Sequence, residues 1–128
     1  MNIDLLKRLC ETPGVPGRED RVRDLIASEV TGLFDEVRTD ALGSLLCRRA
    51  PRPAGKKAAP KRPTRVMLLA HMDEIGFLVS YIDDKGFLRL DPVGGFDTRN
   101  LFSRRVLVCT PQEDLRGVLN PAAPSGRS

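Results

Sequence analysis

The run Arg65–Ala70, RVMLLA, places five apolar residues in succession after one arginine. A strand with one face in water alternates apolar and polar residues, so an unbroken apolar run asks for cover on both faces. Its length suits a buried central strand better than a helix. The sequence around it must therefore supply packing partners on two sides.

Helical sequence comes first. Ile3, Leu5, Leu6, Leu9 and Cys10 recur at helical spacing, with Asn2 placed as an N-cap and Asp4 in the first turn. The TPG of Thr12–Gly14 ends that helix. In GVPGRED, Gly17 is placed to cap a second helix, with Glu19 and Asp20 at the positive end of its dipole. Val22, Leu25, Ile26 and Val30 mark the buried face, and Gly32 ends the helix. Asp35–Arg49 predicts a hairpin about Asp40–Gly43. Beyond His71 the texture changes to short β-prone runs, IGFLVSYID, GFLRLD, RRVLVCT and LRGVLN. They are separated by the turn DDKG and by VGGFDTRNLFS, and suggest a small antiparallel barrel or sandwich. The expected class is α/β, with a domain boundary near Met72–Glu74.

The net charge of +4 is local in origin. The segment Arg48–Arg65, RRAPRPAGKKAAPKRPTR, holds eight of the 21 basic residues and no acid; the other 13 face 17 acidic residues, a net of −4. Its Pro, Ala and Gly content predicts a solvated loop over 50–64. Lysines and arginines attract phosphate, but no aromatic residue is interleaved and no nucleic-acid motif is present, which argues against such a partner. No apolar run reaches the length of a membrane span. The N-terminus lacks the basic-then-apolar pattern of a signal peptide. Cys10, Cys47 and Cys109 are odd in number and widely spaced. They read as reduced, mostly buried thiols of a cytoplasmic protein. The closing NPAAPSGRS has no periodicity and reads as a frayed end.

His71 is the one histidine, in LLAHMDEIGF at the C-terminal end of the apolar run. Ligands of open α/β sheets gather at that edge. Asp73 lies two residues on, so an extended backbone puts both side chains on one side, and Glu74 on the other. A carboxylate there can accept the second ring N–H of a metal-bound imidazole and hold its tautomer. The same spacing also suits a hydrogen-bonded structural histidine. One His and one Asp fall short of the three protein ligands usual for catalytic zinc.

The string RVMLLAHMDEIGFLVSYIDDKGFLRLDPVGGFD resembles the signature region of the tetrahedral (TET-type) glutamyl and deblocking aminopeptidases, dinuclear metallopeptidases also labelled endoglucanase M. LLKRLCETPGVPGRED resembles that family's N-terminal helix-turn-helix, DALGSLLCRR its hairpin, and RRVLVCT and LRGVLN later strands. The resemblance implies that His71 is a metal ligand and that Asp73 supports it. It implies a zinc-peptidase-like α/β/α catalytic domain, interrupted by an inserted antiparallel β-barrel dimerisation domain. Residues 1–73 would be the first catalytic segment, with the loop 50–64, and residues 74–128 the beginning of the barrel. It further implies two zinc or cobalt ions, peptide substrates trimmed at their N-termini, and dimers assembled into a hollow dodecamer. The family's other ligands and its catalytic glutamate follow the inserted domain, so they are expected beyond Ser128. The chain alone is then expected to be inactive. The alternative is a non-catalytic assembly partner whose β-rich half pairs with full-length homologues.

Overall fold

A computed structural model of the chain describes residues 2–52, 64–95 and 97–120. Most of the basic loop expected at 50–64, and the tail beyond Asn120, lie outside the described residues. Helices α1 (Ile3–Glu11) and α2 (Asp20–Glu29) are followed by strands β1 (Glu36–Thr39) and β2 (Leu45–Arg48). Strands β3 (Gly76–Ile82) and β4 (Leu88–Val93) come next, then a short 3-10 helix (Thr98–Leu101), β5 (Arg105–Cys109) and β6 (Asp114–Val118). The strands form three two-stranded antiparallel pairs, β1–β2, β3–β4 and β5–β6. The chain divides into two compact units at Val93/Gly94. The α/β content agrees with the sequence reading.

Both helices follow from local chemistry. The Asn2 side chain accepts from the Leu5 amide (3.0 Å), satisfying one orphan donor of α1. Asp4 and Arg8 sit at the ends that the helix dipole favours for their charges. Arg8 reaches Glu29 of α2 at 2.7 Å. The start of α2 differs from expectation. Its N-cap is Glu19 rather than Gly17, and no side chain caps it. The Glu19 carboxylate instead accepts from the Gly17 amide (2.8 Å), closing the preceding turn. Gly17 serves that turn, at φ +79°. The helix ends at Glu29, before Gly32. Val22 is its buried residue, with 4% of its surface exposed, while Leu25, Ile26 and Val30 are half-buried.

Each predicted hairpin turn forms. Asp40 Oδ1 accepts from the amides of Leu42 and Ser44, both at 2.9 Å. Asp83 Oδ1 likewise accepts from Lys85 (3.0 Å) and Phe87 (2.8 Å). Short Asp side chains satisfy turn amides that no strand can pair. In β3–β4 the register shifts between Val79 and Tyr81, a β-bulge at Ser80. The 3-10 helix in VGGFDTRNLFS went unread in the sequence; Asp97 caps it by accepting from the Arg99 amide (2.9 Å).

Two expectations fail. Arg65–Ala70 belongs to no strand, and Leu68 and Leu69 are 92% and 82% exposed. The run states what these side chains require, but no neighbouring strand among the described residues covers them. The cysteines also depart from the buried reading: Cys10 and Cys109 are exposed and Cys47 is half-buried. Small packing interfaces leave such side chains in contact with water.

Hydrogen bonding from Ser44 and Leu42 holds the Asp40 carboxyl below its ordinary value of 3.8. A depressed folded-state value stabilises the hairpin above the unfolded value, and that contribution is lost as pH falls through the folded one. The amide signals of Leu42 and Ser44 should therefore move together, with a midpoint below 3.8. A shared midpoint at or above that value would remove the role given to Asp40.

Candidate functional site

Residues 71–76 run from His71 to the first residue of β3, and the turn between α1 and α2 fastens them. The Glu74 amide donates to the Gly14 carbonyl (2.8 Å). Gly14 is buried. A Cβ on it would lie 2.7 Å from Val22 Cγ1 and 3.7 Å from the Met72 carbonyl oxygen. A Cβ on Gly76 would lie 2.3 Å from Val15 Cγ1. Both glycines are thus required by close approach, and Val15 and Val22 occupy the space their side chains would take.

The ring of His71 stands at the free end of this fastened segment, with its side chain 83% exposed. Its Nδ1 lies 2.9 Å from the main-chain carbonyl oxygen of Asp73 and 3.4 Å from the Asp73 carboxylate. A carbonyl oxygen can only accept, so this contact takes a proton on Nδ1, and in the neutral ring the lone pair is then on Nε2. The structure brings His71 and Asp73 together, as the spacing implied. The nearer acceptor is the Asp73 main chain rather than its side chain. Glu74 is exposed, and its amide is engaged by Gly14.

An exposed imidazole whose Nδ1 is held by a neighbouring acceptor can offer Nε2 to a divalent transition metal. Among the described residues, no group of three or more His, Cys, Asp or Glu converges to hold an ion. These residues therefore fit one corner of a metal site, not a whole one. Sequence reasoning missed the contribution of Gly14, Val15 and Gly76. The one available signal was a glycine in the turn between the helices and another at the start of β3, which does not reveal contact.

Comparison with known proteins places the chain in a family. The profile of the M42 glutamyl aminopeptidases matches residues 54–126. A putative aminopeptidase, FrvX, of Escherichia coli is 38% identical over 125 residues, covering 97% of this chain and 32% of that protein. A lysyl aminopeptidase of Pyrococcus furiosus is 35% identical over 122 residues, covering 94% and 32% respectively. The solved TET1 peptidase of Pyrococcus horikoshii, which can assemble into a tetrahedron or a large octahedral shell, superposes with a TM-score of 0.76. It is 34% identical, over 98% of this chain and 34% of that one. The chain belongs to the M42 glutamyl aminopeptidase family of peptidases. It spans about a third of the length of the relatives it matches.

Overpacking at a close contact costs about 1–3 kcal/mol. Gly14→Ala should lower unfolding stability by that amount in urea, whereas Gly95→Ala, with nothing within 4 Å, should stay near wild type. Equal effects of the two substitutions would show that Gly14 is not sterically required.

Proposed function

We propose that this chain is part of a metal-dependent aminopeptidase that releases N-terminal residues from peptides. The observation that carries the reading is the His71 ring, whose Nδ1 is occupied by Asp73 while the side chain is 83% exposed, in a chain of the M42 family. In this reading Nε2 is a metal ligand, and Asp73 orients the ring and adds negative charge beside the cation. Two divalent ions, zinc or cobalt, would lower the pKa of a bound water and polarise the scissile carbonyl.

The fit is partial. A catalytic zinc takes about three protein ligands, and the described residues supply one imidazole with one adjacent carboxylate. Further donors and the general base belong to polypeptide other than these residues, and Glu74 is assigned no proton-transfer role. The proposed whole protein has an α/β/α catalytic domain, of which residues 1–73 are a segment, and a β-barrel dimerisation domain that begins near residue 74. The TET1 assemblies support a closed homo-oligomer for that protein, and no helix among the described residues is long and apolar enough to cross a membrane. A cytoplasmic setting is part of the same proposal.

A second reading has its own observation. Val66, Met67, Leu68 and Leu69 are all at least 76% exposed, as expected of a segment that is completed by another polypeptide. The chain would then pair with a full-length homologue without catalysing anything itself. Size-exclusion chromatography with such a homologue should show co-elution, and a chain that always runs alone would eliminate this reading.

Zinc titration of the purified chain should give weak binding, below one ion per chain. His71→Ala should abolish it, and Asp73→Asn should weaken it by roughly tenfold. Binding that survives His71→Ala would disprove the ligand assignment. Two tightly held ions per chain, or metal-dependent turnover of an aminoacyl-anilide lost in His71→Ala, would overturn the incompleteness of the site.

A further inference from the structure

The turn between α1 and α2 contributes no metal-binding side chain, yet it is the element that holds the segment around His71. Three contacts converge there. The Gly14 carbonyl accepts the Glu74 amide at 2.8 Å. Val15 fills the space over Gly76, and Val22 the space over Gly14. Asp73 immediately precedes these fastenings, one residue before the engaged amide and three before Gly76, and its carbonyl shares the peptide unit of that amide. Its carbonyl is the group that receives Nδ1–H of His71, at 2.9 Å.

A free imidazole exchanges between its two tautomers. Which nitrogen keeps the proton is set by the hydrogen bond the other can make. Fixing the Asp73 carbonyl therefore fixes the tautomer, and with it the nitrogen that carries the exposed lone pair.

We propose that the Gly14–Val15 turn is the positioning element of His71. By fastening residues 74–76 it directs the Asp73 carbonyl at Nδ1 and selects the tautomer that leaves Nε2 open to a ligand. Gly14, Val15 and Gly76 act through Asp73 and touch no ligand themselves. The use made of Nε2 rests on the aminopeptidase reading; the selection of the tautomer does not.

The test uses the ¹⁵N-labelled chain. Its one histidine makes the ring signals unambiguous. At alkaline pH, where the ring is neutral, the two ring-nitrogen shifts report the tautomer directly, and amide exchange reports the Glu74 hydrogen bond. The wild-type chain should hold mainly the Nδ1–H form. Gly76→Ala should shift the ring toward Nε2–H and speed Glu74 exchange by about tenfold or more. Its added Cβ meets Val15 Cγ1 at 2.3 Å but Val15 Cβ only at 3.6 Å. The double variant Val15→Ala/Gly76→Ala therefore removes the clashing Cγ1, leaves the two Cβ atoms in ordinary contact, and should restore both readings. Protection of the β1–β2 amides serves as the control for folding.

An unchanged tautomer in Gly76→Ala with intact β1–β2 protection overturns the proposal. So does a double variant that folds but fails to restore it. Where Gly76→Ala disturbs the control amides too, Val15→Ala is read instead, since it removes the contact to Gly76 and keeps the hydrogen bond. A tautomer unaffected there is equally fatal. If the tautomer responds as stated but zinc does not bind the wild-type chain, this proposal stands and the metal-ligand reading falls. If zinc binds through His71 and the tautomer is the same in every variant, the reverse holds.

Discussion

The hydrogen bond from the Glu74 amide to the Gly14 carbonyl joins segments 60 residues apart in sequence. A bond of this kind contributes about 0.5–1.5 kcal/mol net. Its importance is geometric, because two glycines let the chains approach and two valines fill what the glycines leave open. Val22 is the one buried apolar side chain of the core among the described residues, and it belongs to this contact. The helical pair, the turn and the entry to β3 are thereby referred to one point. His71 is placed from that point through the main chain of Asp73.

Elsewhere the described residues are thinly packed. Isolated two-stranded hairpins are marginal in water unless another layer covers them, and here each sheet has two strands. Apolar side chains stand open along them, among them Tyr81, Ile82 and Phe87 in the β3–β4 region. Burial is favourable by roughly 25 cal/mol per Å² of apolar area, so these surfaces represent stabilisation not yet realised. Family membership gives that observation a context. The matched relatives are about three times as long, and a domain buries a larger fraction of its surface as it grows.

Much of the local structure was legible in the sequence because short-range chemistry decides it. Asn2 caps α1 and Asp40 and Asp83 close their turns for reasons contained within a few residues. The signature about His71 was legible too, and the family match agrees with it. Gly17 was misread as a cap because Gly and Glu compete for the same turn. The carboxylate of Glu19 turned back to the Gly17 amide, which periodicity cannot anticipate. Cys10 and Cys109 were misread because residue type gives only an average burial, while actual burial depends on what else is present to pack.

The sequence by itself determined the order of helices and hairpins, the family, and the pairing of one imidazole with one carboxylate two residues away. These follow from periodicity, turn chemistry and a distinctive string, all readable without distances. Only the tertiary structure decided which atom of Asp73 holds the ring, that the ring is exposed, and that a turn near the N-terminus fastens the segment. The physical reason is that glycine advertises an absence. That Gly14 and Gly76 are empty so that Val22 and Val15 can approach is a fact about neighbours in space, and a linear sequence does not list them.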